Sequence, residues 1–395
     1  MRTILLNISL GLTCALIVGC NSTTVRTTAT EEIVAHSVVI PEELLLDVGV
    51  DILDAGIEGI TEDAPGVYPG IREAEARYMA FSLANTIQDS GNWGIVRVVP
   101  DRLSEMDVWI NGKILRSDGA VLELEISLAD SSGNHWYTKK YAGTASKYSY
   151  DSTVSKRSEP FLSVYNQITN DMLAYYQRLS AEDVLGLRTI TELKFAKEFS
   201  AQAYSEHLDT DGKGRLVIKR LPASDDPILM RIRQIRERDY MFIDTMQEYY
   251  SSFVRRMYDP YFEWRRAFYE EDQALREVKS QANQRLIGGI LAVATGILAQ
   301  GSGSRTARTA GHVAIGAGAT AIYSGMQKRE EAKVHAEALQ EISNSMRSEM
   351  EPHRMQLEER TVTLSGSVQD QYRQWRLILK DMYEHETGQA ATVTQ

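Results

Sequence analysis

The residues that could hold a metal ion are scattered along this chain. Seven histidines are present, and none forms the His-Glu-x-x-His pair that puts two zinc ligands on one face of a helix. The best cluster is His207 with Asp209 and Asp211, because imidazole and carboxylate groups are common zinc ligands. Such spacing also arises by chance, so the sequence predicts no metal site and no cofactor.

Residues 209–216 have the spacing of the first half of a calcium-binding loop. Asp209 and Asp211 fall on positions one and three of the EF-hand pattern. Lys213 stands at position five, where an oxygen ligand belongs, and Arg220 stands where the bidentate glutamate belongs. Two cations in place of two ligands should abolish calcium binding. We therefore predict a tight turn that leads into a short strand.

The sequence contains no catalytic signature: it lacks a Gly-x-Ser-x-Gly elbow, a Walker loop and a dinucleotide-binding fingerprint. We predict no catalytic residues and a protein that is not an enzyme. The alternative is a cell-wall or polysaccharide hydrolase, whose paired carboxylates would meet only in three dimensions. A cleft with two close carboxylates of shifted pKa would favour that alternative. A net charge of −11 argues against nucleic-acid binding, which depends on clustered Lys and Arg.

The amino terminus has the layout of a secretory signal peptide. Arg2 precedes an uncharged apolar stretch, residues 4–19. That stretch is shorter than the roughly 20 apolar residues needed to span a bilayer. It ends in Leu16-Ile17-Val18-Gly19-Cys20, which resembles the bacterial lipobox. The resemblance implies cleavage after residue 19, lipidation of Cys20 and attachment to a membrane by that lipid.

The residues after the cysteine indicate where the protein resides. Asn21 stands where an aspartate resembles an inner-membrane retention signal, so it favours the outer membrane. We expect the chain to face the periplasm, and exposure at the cell surface stays open. Residues 20–37 are rich in Ser, Thr and Ala and predict a lipidated flexible tether. Cleavage removes Cys14 and lipid blocks Cys20, which leaves no free thiol.

Residues 38–180 predict an α+β domain. A helix over 70–90, closed by Gly91, and a helix over 159–179 follow from apolar periodicity. Strands follow from short runs rich in β-branched residues, separated by turn signals; they are expected at 38–41, 95–99, 107–115, 121–129 and 135–141. This β-α-β-β-β order resembles the amino-terminal domain of TolB and curli-assembly lipoproteins. The resemblance implies an interaction module of the cell envelope.

Residues 181–227 predict a connector of a helix with a turn and strand, and residues 228–386 predict a long helical hairpin. Apolar side chains recur there every three or four residues in two stripes. The stripes contain Phe242, Met246, Phe253, Met257, Tyr261 and Trp264 in the first arm, and Ala332, Leu339, Met350, Leu357, Tyr372 and Trp375 in the second. Pro260 and Pro352 predict a joint in each arm. Residues 387–395 predict a disordered tail.

A glycine-rich tip, residues 286–326, lies between the two arms. Small residues recur every four positions, which lets helix backbones approach closely and resembles glycine-zipper segments. The residues expected to contact a membrane or a second copy are Gly288, Gly289, Gly296, Gly311, Gly316, Gly318 and Gly325. Burial within the protein's own fold and a true bilayer span are the alternatives. The first apolar segment is 14 residues and reaches about 21 Å, short of the roughly 30 Å of a bilayer core.

Together these features predict an α+β protein: a small β-meander domain with packed helices, followed by a long antiparallel α-helical hairpin. The expected function is that of a non-enzymatic outer-membrane lipoprotein that acts as a periplasmic scaffold or assembly factor. Its partners would be the membrane, through the lipid, and an envelope protein or a second copy of the chain. A membrane-perturbing or pore-forming lipoprotein is the next alternative.

Overall fold

The computed structural model describes residues 24–27, 31–36, 39–58, 69–99, 105–146, 148–150, 159–296, 341, 353–357 and 360–387. These residues form a mixed α+β fold, with a five-stranded mixed sheet, several packed helices and one very long helix. The predicted α+β class is therefore confirmed. The signal peptide, Cys20, most of the glycine-rich tip and the tail from residue 388 lie outside the described residues.

The sheet combines parallel and antiparallel pairing. Its strands are β2 (Val48–Asp51), β3 (Val96–Val99), β4 (Val108–Ser117), β5 (Val121–Asp130) and β6 (His135–Thr144). β2 pairs in parallel with both β3 and β4, and β4, β5 and β6 form an antiparallel meander. β1 (Thr24–Thr27) adds a sixth strand, parallel to β6, at the edge of the sheet.

Two helices cover the sheet: α1 (Pro69–Asp89) and α2 (Leu162–Tyr176). α1 connects the parallel strands β2 and β3, which cannot be joined by a tight turn. Gly91 follows α1 with a φ of 67°, the left-handed conformation that ends many helices. The predicted meander strands and both helices are confirmed to within a few residues.

The strand that precedes α1 lies later in the chain than predicted. Residues 38–41 were expected to form it, but Val39 is 90% exposed and the strand is Val48–Asp51. Gly49 weakens the strand signal in the sequence, since glycine has low β-propensity. A Cβ atom at Gly49 would lie 2.9 Å from Met106 Cγ, so the glycine permits close packing on β2, next to the edge strand β3.

A connector separates the sheet from the second half of the chain. It contains α3 (Ala181–Phe199), the short α4 (Ala201–Tyr204) and a hairpin of β7 (Leu208–Thr210) and β8 (Leu216–Ile218). Ser180 caps α3: its side chain accepts a hydrogen bond from the backbone N–H of Asp183, and the Asp183 carboxylate accepts one from the backbone of Ser180.

Helix α5 (Pro227–Gly296) has 70 residues, which corresponds to about 105 Å. Its predicted aromatic stripe is confirmed as a buried face, with Phe242, Met246, Phe253 and Trp264 almost fully buried. The predicted joint at Pro260 is wrong, because the helix continues through the proline. Proline removes one helical hydrogen bond, and burial of the stripe on both sides of it holds the helix together.

The second arm departs from a continuous helix. Residues 353–364 include an antiparallel pair, β9 (His353–Leu357) and β10 (Arg360–Leu364), so the helical stripe predicted through Leu357 is wrong there. Three consecutive β-branched residues, 361–363, favour the strand. α6 (Val368–Thr387) follows as predicted and packs on the start of α5.

Candidate functional site

A polar pocket of about 220 Å³ opens beside the amino ends of two parallel strands. Asp47 directly precedes β2 and Asp107 directly precedes β4, so parallel pairing of these strands brings the two aspartates together. The other lining residues come from α3 and from one side of α5; they are Arg188, Arg233, Arg236, Glu237 and Tyr240. The pocket is thus built from four separate parts of the chain.

The two aspartates hold the strand ends in place. Asp107 is 2% exposed, and its Oδ1 accepts a hydrogen bond from Thr191 Oγ1 at 2.5 Å while its Oδ2 accepts the backbone N–H of Asp47 at 2.9 Å. Asp47 Oδ1 accepts the backbone N–H of Ile95 at 2.9 Å. Burial raises the pKa of Asp107, and repulsion from the Asp47 carboxylate raises it further.

The three arginines differ in how their guanidinium groups are bonded. Arg233 forms two hydrogen bonds with the carboxylate of Glu192, at 2.5 and 3.0 Å. Arg236 donates through Nη2 to the Tyr240 hydroxyl, and its buried Nε has no hydrogen-bond partner among the described residues. Arg188 donates through Nη1 to the backbone carbonyl of Glu42 at 2.7 Å.

The electrostatics keep Arg236 charged. Burial lowers the pKa of its guanidinium, but neighbouring Tyr240, Asp107 and Asp47 outweigh that effect, and the pKa is raised. Burial also raises the pKa of the Tyr240 hydroxyl, which therefore stays neutral near pH 7. The pocket presents a charged N–H donor beside a neutral phenol.

Paired carboxylates in a cleft were our criterion for a hydrolase, and Asp47 with Asp107 meets it in part. However, both oxygens of Asp107 and one oxygen of Asp47 already accept hydrogen bonds from the protein. A general acid or base needs a free oxygen within reach of the substrate. Among the described residues, one oxygen of Asp47 is the only oxygen of this carboxylate pair with unused acceptor capacity, while the guanidinium groups of Arg188 and Arg236 both keep unused N–H donors, which suits binding of an acceptor.

The calcium-loop segment forms the predicted turn. Asp211 Oδ1 accepts the backbone N–H groups of Lys213 and Arg215, and its Oδ2 accepts two hydrogen bonds from the Arg215 guanidinium. These hydrogen bonds lower the pKa of Asp211 to about 2. Nearby, His207 Nδ1 lies 2.7 Å from the backbone carbonyl of Arg220. In the part of the chain that the structure describes, no three metal-ligating side chains cluster.

The structure describes only some of the other predicted site residues. Cys20, Gly311, Gly316, Gly318 and Gly325 lie outside the described residues. Gly288, Gly289 and Gly296 belong to the backbone of α5. Across the described ranges, helices that combine the length and apolar character of a membrane span were not found.

Sequence reasoning missed the pocket. Arg231 and Arg238 of α5 contact Glu386 of α6, while Arg236 on the same helix lines the pocket. Only the helical spacing of 233, 236, 237 and 240 could have indicated a shared polar face.

Comparisons with protein-family models, with curated proteins and with solved structures found no match for this chain. The fold and the pocket define a mixed α+β protein with an arginine-lined polar cleft.

Proposed function

We propose that this protein is a lipid-anchored, non-catalytic scaffold of the bacterial outer membrane, held by Cys20 with its folded part close to the bilayer. The observation that carries the proposal is the attachment of residues 31–36 to the folded region. Glu31 follows Cys20 by 11 positions. Eleven residues span at most about 40 Å when fully extended, and β1 joins the sheet only four positions after Cys20, so the lipid and the folded region stay within that distance.

Three asparagines hold this segment by its backbone. Asn166 Nδ2 donates to the Glu31 carbonyl, and Asn170 Nδ2 donates to the Glu32 carbonyl at 2.9 Å. Asn170 Oδ1 also accepts the backbone N–H of Val34 at 2.8 Å, and Asn92 Nδ2 donates to the Val34 carbonyl at 3.0 Å. The folded region therefore grips the chain soon after the expected anchor.

The long helix supports the scaffold part of the proposal. α5 spans about 105 Å, and among its described side chains the buried positions run from Leu229 to Ala267. α6 lies antiparallel to the start of α5, since Arg231 contacts Glu386 near the end of α6 and Asp239 contacts Arg376 in its middle. This contact supports a helical hairpin with residues 286–326 at its tip. The β-α-β-β-β order, with β2 as its first strand, supports the TolB-like resemblance.

The anchor is tested by following Cys20→Ser in cells. The unchanged chain should take up labelled palmitate and fractionate with outer membranes, while the variant should take up no label and accumulate as soluble or unprocessed protein. Cys14→Ser is the matched control and should behave as the unchanged chain. Labelling that persists in Cys20→Ser would contradict the lipoprotein proposal.

The scaffold proposal is tested by crosslinking in cells, followed by identification of the crosslinked proteins. A chain with residues 286–326 deleted should lose crosslinks to its partner or to a second copy while keeping the lipid. If the purified chain instead made liposomes leak, and the deletion abolished that leakage, the pore-forming alternative would replace the scaffold.

A further inference from the structure

We propose that the pocket between α3 and α5 binds a phosphate-type oxyanion, held by the guanidinium groups of Arg188 and Arg236. Neither guanidinium has a carboxylate within 4 Å among the described residues, whereas Arg233 beside them is fully engaged by Glu192. The two arginines come from different helices and line the same pocket. Their unused N–H groups provide several donors for one ligand.

The buried Nε of Arg236 calls for an acceptor. Its N–H group is out of contact with solvent and has no hydrogen-bond partner in the described structure. A buried charged donor without an acceptor costs more than a neutral one. The Nε atoms of Arg265 and Arg376 are also buried without a partner, but the Nη atoms of those two arginines pair with carboxylates, and those of Arg236 do not among the described residues. An oxyanion oxygen in the pocket would supply the missing acceptor.

The acidic residues of the pocket limit the binding strength without blocking it. Asp47, Asp107 and Glu237 outnumber Arg188 and Arg236, since Arg233 is already paired with Glu192, so net charge does not attract an anion. The oxygens of Asp107 are both bonded to Thr191 and to the backbone of Asp47. Binding must therefore come from directed N–H donors, and we expect moderate affinity.

The arrangement of the donors favours phosphate over a carboxylate. A carboxylate is planar and is satisfied by a single guanidinium fork. Phosphate offers oxygens in several directions, and the donors here come from two different helices, α3 and α5. A volume of about 220 Å³ holds roughly seven waters at about 30 Å³ each, which leaves room for phosphate and a small ester group.

The test is calorimetric titration of the purified full chain in detergent, in a phosphate-free buffer, with inorganic phosphate as the probe. We expect saturable binding with a dissociation constant below about 1 mM. Arg188→Gln and Arg236→Gln should each weaken it at least about tenfold, since each removes charged hydrogen bonds. Arg236→Lys keeps the charge but not the planar fork, and should weaken binding too.

The control variant is Arg255→Gln, an exposed arginine of α5 that bonds only to Ser251 in the described structure. It should bind phosphate like the unchanged chain. Circular dichroism shows whether each variant is folded. If Arg236→Gln is not folded, the binding of phosphate by Arg188→Gln and Arg236→Lys decides the test. Absence of saturable binding at 10-fold above the expected constant, or equal weakening by Arg255→Gln, overturns the site.

Two further probes define the ligand. Acetate should compete poorly, and acetate that displaces phosphate at equal concentration overturns the assignment to phosphate. Glycerol phosphate tests whether the oxyanion is part of an ester, such as a lipid headgroup. Tighter binding of glycerol phosphate than of the free ion supports the site with an ester as ligand, and tighter binding of the free ion supports it with phosphate itself.

Discussion

Helix α5 carries the buried Arg265 and the half-buried Arg236, and their guanidinium groups are bonded differently. Arg265 is 1% exposed, and its two Nη atoms contact both oxygens of Glu159 at 2.6 and 3.1 Å. Tyr78 donates to the same carboxylate, and the ring of Tyr261 lies 4.0 Å from the guanidinium. In the pocket, Arg236 forms a hydrogen bond only with the hydroxyl of Tyr240 among the described residues, and its guanidinium lies 5.1 Å from the centre of that ring. A guanidinium paired with a carboxylate stabilises the fold, whereas one without a carboxylate partner keeps N–H donors for a ligand.

Removal of the paired arginine, Arg265, should have the largest effect on the free energy of unfolding. Arg265→Ala leaves the carboxylate of Glu159 without its cation, and removing one partner of a buried ion pair costs about 3–5 kcal/mol. The free energy of unfolding, measured by urea titration, should fall by that amount. Arg266→Ala is the control, because the adjacent Arg266 is partly exposed and pairs with Glu263 on the same helix.

Arg266→Ala should lower the free energy of unfolding by at most about 1 kcal/mol. If the two variants lost equal amounts of unfolding free energy, the Arg265–Glu159 contact would not be a buried ion pair that stabilises the fold. The comparison between the two arginine sites would then have no structural basis.

A second buried pair predicts how stability depends on pH. Asp239 packs between α5 and α6; its Oδ2 accepts from Arg376 at 2.9 Å and from Tyr372, and its Oδ1 has no hydrogen-bond partner among the described residues. Burial raises its pKa to about 6, which exceeds the opposing effect of Arg376. The folded state therefore holds a proton that the unfolded state releases near pH 4.

Stability should consequently fall as pH rises from about 4 to 6, by roughly 2–3 kcal/mol from this group. Other buried acids, such as Glu75, have raised pKa values and add in the same direction. Asp239→Asn isolates the Asp239 part: urea unfolding at pH 4, 5 and 6 should give a shallower slope for the variant. A steeper slope in Asp239→Asn would contradict this, because it would mean that the pairing with Arg376 outweighs burial and holds the pKa of Asp239 below its ordinary value.

A third prediction concerns the edge of the sheet, where α5 meets β3. The side chain of Gln247 takes the place of a neighbouring strand: its Oε1 accepts the N–H of Val98 at 3.0 Å and its Nε2 donates to the Val98 carbonyl at 2.9 Å. Gln247→Ala leaves both backbone groups unbonded and should lower stability by about 1–2 kcal/mol. The exposed Gln234→Ala on the same helix is the control.

The free energy of unfolding again provides the measurement. Gln247→Ala should also increase association of the purified chain at high concentration, because it opens the edge of β3. A loss no larger than that of Gln234→Ala would mean that Gln247 does not complete the sheet.

The sequence predicts elements that depend on a local pattern of residues, and it does not predict features that depend on contacts between distant parts of the chain. Alternation in 121–129 and helical periodicity in 70–90 are local, and both elements form as predicted. β2 was missed because its position depends on pairing with β3 and β4 on both sides. The pocket was missed for the same reason: Asp107 and Arg236 carry no local signal, and only the assembled sheet and helices bring them together. Lipidation of Cys20 stays a prediction.

Arg188→Gln should have the smallest effect on stability, and it tests most directly whether the arginines without carboxylate partners bind a ligand. Arg188→Gln removes one hydrogen bond from a partly exposed guanidinium to the Glu42 carbonyl, so it should cost less than about 1 kcal/mol of stability in phosphate-free buffer. Phosphate at tenfold its dissociation constant should stabilise the unchanged chain by about 1.4 kcal/mol and Arg188→Gln by no more than about 0.4 kcal/mol. Arg265→Ala should show the reverse: a large loss of stability, with its response to phosphate retained. If phosphate stabilised Arg188→Gln as much as the unchanged chain, the unpaired arginines would belong to the fold and not to a binding site.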